Sequence, residues 1–313
     1  MDSASSSYTY LGPSGTFTEA ALLQVPGAER ARRVPSSSAE MALSMIRSGE
    51  VDAAMLPIEN SIEGGVSATL DAIATGQELR IIREAIVPVS FVLAAPAGVQ
   101  RESVSRVGTH PHAWAQTRGW LEKNIPQAEY VPATSTAAAA HELLSETPAY
   151  QAAICAKLVA EQLGLNILAE AIEDNAGAVT RFVLIARPGV LPAPTGSDKT
   201  TVAIPLPEDR PGALMEILDQ FATRGVNLSR IESRPTGQFL GHYFFSIDAE
   251  GHLADARMAD ALGALHRISP HLRFMGSYPR ADAQYPLIPE HTTDRAFESA
   301  QRWLAELRGA QPE

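Results

Sequence analysis

The stretch 187–200, RPGVLPAPTGSDKT, most constrains what this chain can fold into, because three prolines and two glycines with few large apolar groups read as an exposed connection between domains. A single hydrophobic core stops growing at about 250–300 residues, so the 313-residue chain is expected to form two folded parts on either side of it. Before the connection, short β-branched runs alternate with helical stretches, the pattern of an α/β architecture. Strands are expected over 8–11, 53–57, 86–94, 105–107 and 181–185, and helices over 17–24, 112–123, 136–144 and 155–163, the last entered through Ala153–Ile154. After it the order is strand 201–206, helix 212–224, strand 227–234, strand 241–248, helix 253–268 and strand 272–278. That βαββαβ string is the ferredoxin-like arrangement. Residues 280–313 read as a proline-rich tail with a polar helix over 294–307.

Charge and cysteine content narrow the classes of function. Against 36 acidic residues stand 25 basic ones, a net of −11 spread over both parts, which would repel a polyanion and makes nucleic acid a poor partner. The single cysteine, Cys155, can form no intramolecular disulfide and supplies no cysteine cluster for zinc. The segment MDSASSSYTY lacks the basic and apolar regions of a signal peptide, and no window approaches about 18 uninterrupted apolar residues. A cytoplasmic protein without a membrane span is the expectation.

Five segments of the first part could carry chemistry. In Gly12-Pro13-Ser14-Gly15-Thr16-Phe17-Thr18-Glu19, a loop after a strand opens a helix, with hydroxyls beside helix N–H groups. Such a loop suits a carboxylate or phosphate, and equally a capped helix start. It lacks the Gly-Lys-Ser/Thr ending of a Walker motif. The loop 57–65, from Pro57 through Glu59, Asn60 and Ser61 to Glu63 and two glycines, offers a carboxylate, an amide and a hydroxyl on consecutive residues, as a site or as a capped turn. In Thr109-His110-Pro111-His112-Ala113-Trp114-Ala115-Gln116, a strand meets a helix, and Gln116 lies one turn after His112. Two histidines with no third ligand nearby are thin grounds for a metal. Thr134-Ser135-Thr136 places hydroxyls at a helix start, serving as a cap or as contacts to a carboxylate. Last, Asp174-Asn175-Ala176-Gly177-Ala178-Val179-Thr180-Arg181-Phe182 sets a polar pair where a very apolar strand begins, which is costly unless those groups find partners. No Gly-x-Ser-x-Gly elbow or dinucleotide fingerprint is present.

In order and spacing, GPSGTFTEAA, PIENS, THPHAWAQ, TSTAAAA and DNAGAVTRF resemble the prephenate dehydratase family, and RPGAL (210–214) with ESRP (232–235) resembles its C-terminal ACT regulatory domain. The resemblance implies a two-lobed α/β catalytic domain like a type II periplasmic binding protein over 7–187, a linker over 188–199, an ACT domain over 200–279 and a tail over 280–313. It implies conversion of prephenate to phenylpyruvate, carbon dioxide and water without metal or organic cofactor. It also implies a homodimer or homotetramer with phenylalanine as effector.

By the same resemblance Thr180 donates a proton or hydrogen bond to the departing hydroxyl, and Arg181 is suited to clamp a carboxylate. Glu59, Asn60, Thr109 and Gln116 are pocket residues, while Ser14, Ser61, Ser135, Thr136 and Phe182 contact substrate. The family often has Ser where Thr109 stands, which keeps the hydroxyl, and Gln where His112 stands. Gly212, Ala213 and Leu214 would shape the phenylalanine pocket, Asn227 and Leu228 would offer backbone groups to it, and Glu232, Ser233 and Arg234 would tie it to a partner subunit. Arogenate, the amino analogue, could use the same residues. A non-catalytic amino-acid sensor is the other class of function these lobes could serve.

Overall fold

Short strands, many of them followed directly by a helix, generate most of the architecture. The computed structural model describes residues 6–62, 64–206, 210–235 and 243–309. In the N-terminal half the strands are β1 (Ser7–Leu11), β2 (Arg32–Ser36), β3 (Ala53–Asn60), β4 (Gly64–Gly65), β5 (Arg80–Pro88), β6 (Val92–Ala95), β7 (Arg106–Thr109), β8 (Glu129–Pro132), β9 (Ala152–Cys155), β10 (Asn166–Ala169) and β11 (Val179–Ala186). Among them lie helices α1 (Phe17–Leu22), α2 (Ala39–Ser48), α3 (Ser67–Ala74), α4 (Pro111–Asn124), α5 (Thr136–Glu142) and α6 (Lys157–Gln162). The rest is β12 (Asp198–Pro205), α7 (Ala213–Ala222), β13 (Leu228–Pro235), β14 (Tyr243–Glu250), α8 (Ala256–Ile268), β15 (Arg273–Pro279) and α9 (Asp294–Leu307).

Two compact units result: one from Met1–Val66 with Ala85–Leu184, the other from Ser67–Glu84 with Ile185–Glu313. The first unit carries two sheets. One runs β2-β1-β3-β11-β5 with β4 on β3, and the other runs β10-β6-β9-β7-β8. The chain passes between them twice, at 88–92 and at 169–179. This explains one departure from the sequence reading: the apolar run 86–94 is two strands rather than one, separated where Val89, Ser90 and Phe91 cross from sheet to sheet. Val89 N–H donates to Ala178 carbonyl and Ile172 N–H to Phe91 carbonyl, so the two crossings are stitched together. Cys155 ends β9 instead of opening a helix; buried in an apolar cluster with Val92, Val159 and Leu165, its thiol is pushed up to about 12 by desolvation. Elements β2, β4, α2, α3, β8 and β10 are not expected from the sequence, nor is β9, whose residues Ala153 and Ile154 are read there as the entry to a helix. The start of the expected strand at Gly241, and Glu63 of the Pro57 loop, lie outside the described residues.

The second unit is the βαββαβ fold expected, with strand order β13-β14-β12-β15 and antiparallel pairing throughout. Val202, Ile204 and Ile247 pack with Ile217 and Phe221 of α7 and with Leu262 and Leu265 of α8. Alternating positions of the same strands hold a buried polar layer: Asp248 accepts from Arg230 Nε at 2.9 Å, Arg230 Nη2 at 3.0 Å and Thr201 Oγ1 at 2.8 Å, and Tyr278 Oη lies 2.7 Å from Thr201 Oγ1. Segment Ser67–Glu84 belongs to this unit through specific bonds. Asp71 of α3 pairs in bidentate fashion with Arg234 at 2.9 and 2.7 Å, and Gly276, at φ +135°, lies against the Ile81 backbone where no β-carbon fits. Glu84, 4% exposed, receives Lys199 Nζ at 3.1 Å on both oxygens and the Ala281 N–H at 2.9 Å.

Removing one partner of that buried pair strands the other's charge. Glu84→Ala is expected to lower stability by about 3–5 kcal/mol, measured by urea unfolding, whereas Arg118→Ala, which breaks an exposed pair on α4, should change it by less than about 1 kcal/mol.

Candidate active site

Strands β3 and β11 are neighbours, so the polar end of the one, Glu59-Asn60, meets the polar start of the other, Thr180-Arg181. Asn60 Nδ2 donates to Thr180 Oγ1 at 2.9 Å, while Asn60 Oδ1 accepts the Ile62 N–H at 2.8 Å. The second bond orients the amide, since a flipped side chain would set its NH2 against that N–H. Thr180 oxygen is thereby an acceptor for Asn60, and its hydroxyl hydrogen can be donated elsewhere. Ser61 clamps the junction, its N–H donating to the Val179 carbonyl at 2.9 Å and its Oγ accepting the Val179 N–H at 3.0 Å.

Thr180 and Asn60 open on a cavity of about 290 Å³. One part of its wall is aromatic: Phe17, Phe91 and Phe182, with Phe17 and Phe91 edge to face at 5.7 Å. Another part is hydroxyl and amide: Thr16, Thr18, Gln116, Thr134, Ser135 and Thr136. Ser135 also caps α5, accepting the Ala138 N–H at 2.9 Å. His110 and His112 line the same cavity with rings 4.9 Å apart, and His110 Nδ1 accepts the His112 N–H at the start of α4. Among the described residues no group of three His, Cys, Asp or Glu side chains is placed to hold a metal ion.

Thr180, Asn60, Gln116, Ser135, Thr136 and Phe182 thus converge on one space, as the sequence reading has it. Five other candidates sit beside it rather than on its wall. Arg181 Nε lies 3.1 Å from Glu59 Oε2, so these two charges answer each other. Thr109, fully buried, donates to the Ile154 carbonyl at 2.7 Å and joins β7 to β9. Ser14 donates to Glu19 Oε2 at 2.9 Å, and Ser61 serves the clamp just described. Sequence reasoning missed Val89 and Phe91, whose crossing position was hidden inside an apolar run; Pro88 and Ser90 were the available signal.

In the second unit a cavity of about 250 Å³ is lined by Leu206, Arg210, Gly212, Ala213, Leu214, Met215, Ser233, Tyr243 and Phe245. Gly212 precedes α7 at φ +86°. Of the other expected effector residues, Asn227 accepts the Glu250 N–H, Leu228 borders the apolar core, Glu232 pairs with Arg230 and Arg234 with Asp71.

The prephenate dehydratase family profile matches residues 8–189. A prephenate dehydratase of Mycobacteroides abscessus is 42% identical over 306 residues, 96% of this chain and 97% of that one. A crystal structure of prephenate dehydratase from Arthrobacter aurescens in complex with L-Phe is 64% identical, with a TM-score of 0.93 over 97% of this chain and all of that one. GqqA, described as a novel type of quorum-quenching acylase, is 30% identical at a TM-score of 0.76, over 87% of this chain and 97% of that one. The two-lobed α/β part with its βαββαβ appendage defines a small-molecule enzyme with a cavity between sheets. This chain belongs to the prephenate dehydratase family.

Thr180→Val keeps the side-chain shape but removes the acceptor for Asn60 Nδ2. It is expected to cost about 1–3 kcal/mol with the fold retained, read by urea unfolding and circular dichroism.

Proposed function

We propose that this protein catalyses the decarboxylating dehydration of prephenate to phenylpyruvate, carbon dioxide and water, the reaction that gives its family its name. The observation that carries the reading is the Asn60–Thr180 arrangement on the wall of a partly aromatic cavity. The ring carbon–carboxylate bond breaks and its electron pair enters the ring. The bond to the ring hydroxyl breaks at the other end of the diene, and hydroxide leaves with one proton as water. Aromatisation supplies the driving force, so the remaining task is to stabilise the departing oxygen. Thr180 does this as a donor aimed by position, its oxygen already polarised by the N–H of Asn60.

Phe17, Phe91 and Phe182 would flank the ring, and the hydroxyls of Ser135 and Thr136 with the amide of Gln116 would meet the carboxylates. Arg181 and Glu59 hold the strand end that presents Thr180, and Ser61 and Thr109 brace the loops on either side. The catalytic domain is assigned to 7–187, the connection to 188–199, the ACT domain to 200–279 and the tail to 280–313. Phenylalanine is the effector, bound at the Gly212, Ala213, Leu214 and Ser233 cavity, and the enzyme works in the cytoplasm as a homodimer or homotetramer. A ligand acts there only through unequal affinity for two states of the enzyme.

The ultraviolet assay for phenylpyruvate tests the reading. Wild-type protein should form it from prephenate; turnover of an acyl amide in its place would overturn the assignment. Thr180→Ala should lower kcat by about 10²–10⁴-fold with KM little changed. Asn60→Asp should lower it comparably, because a carboxylate would draw the Thr180 hydrogen toward itself and away from substrate.

Phenylalanine should raise the Tm of the wild-type protein, and Gly212→Val should weaken that rise while activity without phenylalanine persists. An undiminished rise in the variant, by differential scanning fluorimetry, removes the assigned pocket.

A further inference from the structure

A buried carboxylate beneath the cavity takes no part in the chemistry above. Glu19, on α1, is 3% exposed. It stands three residues after Thr16, the residue that caps the helix by accepting the Glu19 N–H at 3.3 Å. In a capping box the third-position glutamate returns to the N-cap amide. Glu19 reaches one residue further: its Oε2 accepts the Gly15 N–H at 2.6 Å and the Ser14 hydroxyl at 2.9 Å, and its Oε1 lies 3.6 Å from Arg33 Nε. Arg33 is itself fixed by the Ala28 carbonyl at 3.1 Å. The glycine–serine loop therefore already encloses an anion, supplied by its own chain.

We propose that Glu19 is a positioning residue that holds the 12–16 turn against the cavity and so sets the affinity for substrate. Gly12, Thr16, Phe17 and Thr18, which this turn and the start of α1 supply, all line the cavity. The turn has no freedom to find its place unaided. Gly15, at φ +83°, lies against Val159 with no room for a β-carbon, and the Ser14 carbonyl lies 3.3 Å from His141 Nε2. Releasing the turn from Glu19 would loosen one wall but leave Asn60 and Thr180, held on β3 and β11, in place. The effect belongs to binding rather than to the chemical step. The claim rests on reading this cavity as the active site.

The test compares Glu19→Gln, which keeps one acceptor oxygen, with Ser14→Ala, which removes one of the donors, in the full chain. Both should raise KM for prephenate, Glu19→Gln by about 10-fold and Ser14→Ala by less, with kcat within threefold of wild type. Amide hydrogen exchange over 12–18 should accelerate in both variants while that of β3 and β11 stays unchanged. Wild-type KM in Glu19→Gln, a loss as large in kcat as in KM, or unaltered exchange over 12–18 would overturn the proposal. The exchange arm needs no turnover, so if wild-type protein fails to convert prephenate, the functional reading falls while the role of Glu19 in holding the turn is still decided.

Discussion

The hydrogen bond from Asn60 to Thr180 is the interaction on which the site depends, because it joins residues 120 positions apart and exists only if β3 and β11 are adjacent. Each feature around it serves that adjacency. Ser61 fixes the register of the two strand ends, Ile62 fixes which face of the Asn60 amide meets Thr180, and the apolar run that follows Thr180 anchors β11 between β3 and β5. A threonine hydroxyl is a weak acid, and burial alone would not make it a better donor. Accepting a hydrogen bond while leaving its own hydrogen to the cavity does, through geometry that is in place before the ligand arrives.

Much of the site was legible in the sequence because the residues involved are out of place by ordinary rules. Polar groups opening an apolar strand, or hydroxyls grouped at a helix start, need partners, which points to Thr180, Ser135 and Thr136, whereas Asn60 and Gln116 enter as pocket residues through the family resemblance. What could not be read was which hydroxyls are consumed internally. Ser14 and Thr109 look like ligand contacts on the page, yet one is bound to a carboxylate five residues away and the other to a carbonyl of β9. Such pairing depends on strand order, which periodicity does not encode. Arg181 and Glu59 carry the same lesson, since two charges on strands adjacent in space but far apart in the chain read as independent groups in sequence.

The fold was legible where periodicity is strong and opaque where elements are short or polar. The βαββαβ order emerged whole, with α9 placed at its observed bounds. β2, β8 and β10, of four or five residues each and only partly buried, carry too little hydrophobic signal to separate from loop. The run 86–94 failed for the opposite reason: continuous apolarity conceals a change of sheet, because both flanking segments are buried.

Segment Ser67–Glu84 joins the C-terminal unit although it is encoded between the two stretches of chain that make up the first. The unit is therefore discontinuous, and the proline-rich connection, for all its resemblance to a boundary, is not a seam along which the molecule can be divided. A cut there would part Glu84 from Lys199 and Asp71 from Arg234, leaving two carboxylates and two cations without the partners that neutralise them.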